Sequence, residues 1–262
     1  GLTAQAVAAL FTKLNDGPLA GFLMETTAAV FLKQDVKGQA LVDAVLDSCG
    51  SKGTGKWTIQ QAAELGVPCA THAAALEARY LSSLKSQRKE ASAKFTKAKA
   101  VGGGKLPAGW EQDLEDALLA SKLCSYAQGM AHLRAVSDAH GWELKLAELA
   151  AIWQGGCIIR AKVLSLVEAA FTKDPALSNL LLDDAVAAEL AKRVAGWRRF
   201  VLLAMSHGLP VPALCASLTY FDSFSSSLLR SAQCIQAQRD CFGGHGFQRL
   251  DGPGTFSTQW RA

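Results

Sequence analysis

Positions suited to burial return every three or four residues through almost the whole chain: Val7, Leu10, Phe11 and Leu14, then Leu19, Phe22, Leu23, Thr26 and Val30, then Leu41, Val45 and Leu46. This is the period of amphipathic helices, and no period-two run of β-branched residues is long enough for a sheet. The pattern predicts an all-α fold. Thr3 is placed as N-cap of a first helix, and Asp16-Gly17-Pro18 separates it from a second that ends near Lys33-Gln34-Asp35. A third helix is expected from Gln39 to about Cys49. A fourth, Trp57 to Leu65, stops at Gly66-Val67-Pro68.

One long helix is expected from about Thr71 to Ala100, apolar first (Ala75, Leu76, Tyr80, Leu81, Leu84) and then strongly basic, its second half a solvated face. The loop Val101–Gly109 follows, and then a long helix from Trp110 to His140 with Leu114, Leu118, Leu119, Leu123, Tyr126, Met130 and Leu133 on its apolar side. Further helices are expected at about Lys145–Gln154, Cys157–Thr172, Ser178–Leu182, Ala185–Leu203, Pro212–Ser223 and Leu228–Cys241. From Phe242 to Ala262 the period is lost among glycines and aromatics, so a C-terminal tail at 242–262 is expected to extend from a helical domain at 1–241. A faint internal repeat runs through the helical part. Phe31-Leu-Lys33 recurs as Phe171-Thr-Lys173, and Gly66-Val67-Pro68 recurs as Gly208-Leu209-Pro210, the two landmarks 35 and 37 residues apart, as in a duplicated helical unit.

Composition sharpens this picture. With 50% hydrophobic and 19% charged residues among 262, the chain buries a large core as one large domain or two fused units. The net charge of +4 is scattered, which suits a small anionic ligand better than a nucleic-acid backbone. The seven cysteines include no C-x-x-C, which argues against a zinc site or disulfide framework and for a reducing compartment, cytoplasm or plastid. No apolar run approaches a membrane span, so a soluble protein is expected. The chain opens at Gly1 without Met, as a processed or partial product would.

The chemistry concentrates at Ser51-Lys52-Gly53-Thr54-Gly55-Lys56-Trp57, where backbone N–H groups, a hydroxyl and ammonium groups converge at a helix N-terminus. The alternative is a glycine-rich turn with solvated lysines. Gly50 to Lys56 fits G-x-x-x-x-G-K, but Trp57 stands where a magnesium-ligating Ser or Thr is needed, and no strand precedes it. Arg79, in the apolar half of its helix, needs an anionic or carbonyl partner or else reaches solvent. Arg239 and His245 flank a glycine-rich turn and form an anion clamp, unless Arg239 simply pairs with Asp240. Trp197-Arg198-Arg199 reads as the solvated stripe of a helix. His72, His132, His140 and His207 have no metal-ligand spacing and read as structural or exposed. No nucleophile arrangement or G-x-G-x-x-G fingerprint is present.

Several separated stretches together carry a family resemblance: Ser51–Trp57, Leu65-Gly-Val-Pro68, Ala78-Arg-Tyr-Leu-Ser-Ser-Leu84, Ser125-Tyr-Ala-Gln-Gly129, Trp153-Gln-Gly-Gly-Cys-Ile-Ile-Arg160, Ile235-Gln-Ala-Gln-Arg-Asp240 and Phe242-Gly-Gly-His245. In order and spacing they resemble the all-helical C-terminal domain of decarboxylating 6-phosphogluconate dehydrogenase, over essentially the whole chain. The resemblance implies a homodimer in which an N-terminal Rossmann domain binds NADP and this domain supplies dimerisation and much of the sugar-phosphate site. Lys52, Thr54 and Arg79 match the family's phosphate-binding Lys, Thr and Arg. Arg239 and His245 match the pair that its C-terminal tail presents to the neighbouring subunit.

The reaction so implied belongs to the pentose phosphate pathway: 6-phosphogluconate is oxidised at C3 by NADP, loses carbon dioxide and gives ribulose 5-phosphate. The family's Lys base and Glu acid lie on a helix upstream of Gly1, so no catalytic residue is expected in this chain, which alone is expected to be inactive. The alternative is a non-catalytic helical dimerisation or scaffold module derived from the same domain. After His245, many family members have Thr-Tyr where this chain has Gly246-Phe247.

Overall fold

The computed structural model describes residues 2–96 and 105–261. They form two compact units, Gly1–Tyr220 and Phe221–Ala262. The boundary expected after residue 241 marks the end of helical period; the second unit takes in the preceding helix as well.

The larger unit is all-helical. α1 (Ala4–Asn15) starts where Thr3 Oγ1 accepts the Ala6 amide at 3.2 Å, and it packs on α2 (Phe22–Leu32). Then come α3 (Thr54–Glu64), α4 (Ala70–Ser83), α5 (Lys85–Lys94), α6 (Trp110–His140), α7 (Leu146–Ile152), α8 (Val163–Lys173), α9 (Asp184–Ala191), α10 (Val194–Ser206) and α11 (Pro212–Phe224), in whose last turn the second unit begins. α6 is the axis of the core. It buries Ala117, Ala120, Leu123, Cys124, Ala127 and Met130, and α10 lies along it with Trp197 fully buried. Gly196 of α10 permits this close approach: a Cβ there would overlap the Asp116 carboxylate of α6. A buried polar knot ties α4, α6 and α11. Gln128 accepts the Thr71 amide (2.9 Å) and donates to Thr71 Oγ1 (2.7 Å), which in turn meets Ser217 Oγ at 3.0 Å.

Five predicted helices form differently, four of them for a visible reason. Gln39–Cys49 is not an α-helix; only a 3-10 turn at Leu41–Ala44 forms, and Val36, Val45 and Leu46 are exposed. Asp35 captures the chain instead, its Oδ1 accepting the Lys37 and Gln39 amides at 2.8 and 2.9 Å in a side-chain turn that competes with the helix ladder. The long helix from Thr71 breaks at Leu84, because Ser82 and Ser83 donate their hydroxyls to the Arg79 and Tyr80 carbonyls, and Arg88 donates to the Ser82 carbonyl at 3.0 Å. Its basic second half, α5, buries nothing, and residues 97–100 of the predicted helix and 101–104 of the predicted loop lie outside the described residues.

Cys157–Lys162 is not helical either: Ala161 pairs antiparallel with Gly21, Phe22 N–H donating to the Arg160 carbonyl (2.9 Å) and Lys162 N–H to that of Ala20 (2.8 Å). A Cβ on Gly21 would stand 2.7 Å from the Arg160 oxygen, so only glycine admits this pair. The predicted Ala185–Leu203 helix divides at Lys192-Arg193, where Arg193 turns back to the Glu189 carbonyl (2.8 Å) and carboxylate (2.6 Å). Ser178–Leu182 forms only a 3-10 turn at Leu180–Leu182.

The two halves of the internal repeat follow the same path. α3 and α10 end in the same closure, Gly66 and Gly208 both at φ +66° and the following amides returning to Ala62 (2.8 Å) and Ala204 (2.9 Å). Gly21 and Ala161 meet at corresponding places in the two copies.

The smaller unit contains α12 (Arg230–Gly243) and a hairpin of β1 (Phe247–Gln248) with β2 (Thr255–Phe256), in register Phe247 with Phe256. The tail that lacks helical period is therefore a turn and hairpin folded on the end of its own helix. All seven cysteines are free thiols. Among the described residues no helix is long and apolar enough to cross a membrane.

Candidate functional site

The glycine turn is held in place from below. Asp47 accepts from Lys85 and, in two bonds of 3.0 Å, from Arg88, which also takes the Asp47 carbonyl at 2.9 Å. Those partners, Lys85 first, bring the Asp47 carboxyl down to about 2, so it stays ionised at any ordinary pH. Two residues on, Cys49 N–H donates to Ser82 Oγ at 2.9 Å, and Arg79 donates through Nη2 to the Gly50 carbonyl. The same serine that breaks the α4–α5 helix thus anchors the strand of chain leading to Lys52.

From there Gly53, at φ +102°, turns the chain into α3, a left-handed corner that a side chain would strain. The first-turn amides of α3, Thr54 onward, lie beyond the reach of any intrahelical carbonyl and point outward at the turn. Gly55 lies against Leu76, where a Cβ would stand 3.2 Å from Leu76 Cδ1. Leu76 and Arg79 are three residues apart on α4 and share a face. The structure therefore brings Lys52, Thr54 and Arg79 to one place, with Lys52, Thr54 and Arg79 all exposed. Arg79 uses one of its N–H donors on Gly50 and keeps the others of its five for a ligand.

Arg239 and His245 belong to the smaller unit and are likewise exposed. The expected alternative of an Arg239–Asp240 pair is not what forms: Arg239 Nη1 donates to Gln236 Oε1 at 3.2 Å, while Asp240 turns inward. His245 sits edge-on to Phe242 at 6.2 Å between ring centroids, above Gly243, where a Cβ would meet the imidazole at 2.5 Å. It borders an open groove of about 1090 Å³ with Gln233, Gln236, Phe247, Arg249 and Trp260.

The remaining sequence candidates do other work. Trp197 is buried outright, and Arg199 grips Asp113 of α6 through two bonds of 2.6 and 3.0 Å; only the arginines fit the solvated stripe. His72 and His132 line a cavity of about 450 Å³ with Lys122, Tyr126, Met130 and Trp153. Burial lowers the pKa of both imidazoles, His132 adding to the effect on His72. The supporting roles of Asp47, Ser82 and Asp240 are not read from the sequence, because each acts on a partner distant in the chain. Among the described residues no group of three or more His, Cys, Asp or Glu is placed to hold a metal ion.

A dinucleotide needs a glycine-rich turn between a strand and a helix. Among the described residues strands occur only in the β1–β2 hairpin, and α3 follows irregular chain, so they form no such dinucleotide turn.

Comparison with known proteins agrees with the fold. The family model "6-phosphogluconate dehydrogenase, C-terminal domain" matches residues 1–260. The chain is 46% identical over 267 residues to "6-phosphogluconate dehydrogenase, decarboxylating 2, chloroplastic" of Spinacia oleracea, covering 99% of this chain and 50% of that protein. It is 41% identical to the NADP(+)-dependent decarboxylating enzyme of Bacillus subtilis, covering 55% of it. A solved structure of the Plasmodium falciparum 6-phosphogluconate dehydrogenase, described in its apo form and in complex with NADP+ and with 6-phosphogluconate, superposes with a TM-score of 0.94 at 39% identity, covering 99% of this chain and 56% of that one. The chain thus spans about half the length of the curated relatives it matches.

Proposed function

Since the chain belongs to the 6-phosphogluconate dehydrogenase family as its C-terminal domain, we propose that it binds the phosphate of 6-phosphogluconate through Lys52, Thr54, Arg79, Arg239 and His245. In this reading it serves an NADP-dependent oxidative decarboxylation to ribulose 5-phosphate in a reducing compartment, cytoplasm or plastid. The observation that carries the reading is the clamp of Asp47, Cys49 and Gly50 onto α4 and α5, in which Arg79 holds the Gly50 carbonyl two residues before Lys52.

A phosphate dianion placed there meets an ammonium, a guanidinium, a hydroxyl and the free amides of a helix N-terminus. Charge-assisted bonds of this kind contribute about 1.5–3 kcal/mol each. Arg239 from α12 and His245 from the tail complete the set from a neighbouring subunit in a homodimer, with 1–241 as the substrate-binding and dimerisation domain and 242–262 as the tail. This chain's share of the chemistry is to hold and orient the sugar phosphate; the NADP cradle and the acid–base pair belong to a Rossmann domain and helix outside these residues.

Titration calorimetry of the protein with 6-phosphogluconate at low salt tests this. One site per chain is expected, and the Lys52→Ala/Arg239→Ala double variant is expected to weaken binding roughly a hundredfold or more. Unchanged affinity in that variant sinks the assignment.

A further inference from the structure

In Phe221–Ala262 the described residues bury only Asp240 and Gly246. Asp240, 3% exposed, has both carboxylate oxygens saturated. Oδ1 accepts the Gly246 amide at 2.9 Å and the Ser257 hydroxyl at 2.7 Å, and Oδ2 accepts the Thr258 amide at 3.1 Å and the Trp260 indole N–H at 2.7 Å. Two of these segments are far apart in sequence, the turn after α12 and the last residues of the chain. The carboxylate is what joins them.

We propose that Asp240 is the positioning residue for the anion-binding pair Arg239 and His245, and that Ser257–Trp260 supports ligand binding through it without touching the ligand. The inference rests on the phosphate reading above. His245 stands between two glycines at positive φ, Gly244 (+61°) and Gly246 (+72°), which give the turn its path but no stiffness. Stiffness comes from fixing the Gly246 peptide at both ends: its N–H goes to Asp240, and its carbonyl accepts from Gln236 Nε2 at 2.5 Å. Gln236 and Asp240 are one helical turn apart on α12 and share a face. The same Gln236 takes Arg239 through its Oε1. Both proposed phosphate ligands are thus referred to one face of α12, and the far side of the turn is closed by Phe247 against Phe256 (6.4 Å) and Trp260 (5.5 Å). The donors, Trp260 and Ser257 foremost, hold the Asp240 carboxyl down at about 2, so the hub is charged wherever the ligand phosphate is.

The test uses the full-length protein with three variants, Asp240→Asn, Ser257→Ala and Trp260→Phe, the last keeping the ring against Phe247 while removing the N–H. Calorimetry with 6-phosphogluconate and steady-state kinetics of the complete enzyme are the readouts, with the His245 ring signal followed by NMR. Asp240→Asn is expected to raise Kd and KM about tenfold or more with kcat within about twofold, and to abolish the ligand-induced shift of the His245 signal. Trp260→Phe and Ser257→Ala are expected to raise Kd a few-fold. Wild-type affinity in all three variants overturns the proposal, as does a fall in kcat with KM unchanged. If Asp240→Asn fails to fold, the Trp260→Phe and Ser257→Ala affinities decide. Unchanged affinity in Arg239→Ala and His245→Ala overturns the phosphate reading itself, and with it this proposal. Loss in those two with none in the positioning variants overturns this proposal alone.

Discussion

In Gly1–Tyr220 the largest fully buried side chains are Trp197, Leu19, Leu123 and Met130, whereas in Phe221–Ala262 the most deeply buried side chain is a carboxylate. An apolar core gains from every atom it covers and is indifferent to pH. A saturated carboxylate fixes direction and register with four bonds, and depends on one proton staying off. The first arrangement gives the larger unit a rigid frame that carries Lys52, Thr54 and Arg79. The second lets a short segment with no apolar core present Arg239 and His245 in one geometry.

Attacks on the apolar frame are expected to have the larger effects. Trp197→Ala should cost about 3–5 kcal/mol, read as a fall of roughly 10 °C in the main thermal transition. A transition that stays in place would mean that α10 does not depend on that ring. Gly21→Val forces a side chain into the Arg160 carbonyl and is expected to cost about 1–3 kcal/mol, visible as a lower urea midpoint at constant m-value. Asp183, whose Oδ1 caps α9 through the Ala185 and Val186 amides at 2.9 and 3.2 Å, should lose about 1 kcal/mol on replacement by Ala.

The polar hub breaks the comparison in another currency, pH. Asp240 titrates at about 2 in the folded chain against an ordinary 3.8, so its contribution is complete above 3.8 and is lost as pH falls through about 2. The Trp260 indole N–H signal is expected to hold its position down to about pH 3 and to move as pH falls through about 2. Movement at higher pH, or none by pH 2, would contradict the hub.

The sequence reading found what short-range physics decides. Thr3 as a cap, Gly66 and Gly208 as helix ends, the 31-residue α6 and the glycine corner at Gly53 all follow from residues within a turn of each other. Where it failed, a side chain had found a partner elsewhere. Ser82 and Ser83 look like ordinary helix positions until their hydroxyls bend back; Ala161 is drawn from its helix by Gly21, and Asp35 unwinds the segment that follows it. The five residues proposed for the site were picked out by the glycine turns and the family spacing. The supporting roles of Asp47, Ser82, Gln236 and Asp240 were not, since their partners lie 41, 33, 10 and 17 positions away.

The link between Asp240 and the chain end can also be viewed as binding within one molecule. Ser257–Trp260 is a ligand on a leash, with Asp240 as its receptor 17–20 residues back. A tether of that length sets an effective concentration on the order of millimolar, so the contact stays closed although each bond alone is modest. Cutting the hairpin between Gln248 and Thr255 would leave the Gly246 amide on Oδ1 but release Ser257, Thr258 and Trp260, because the freed peptide would dilute away. The integrity of that short loop, which touches neither Arg239 nor His245 by sequence, then decides how sharply both are aimed.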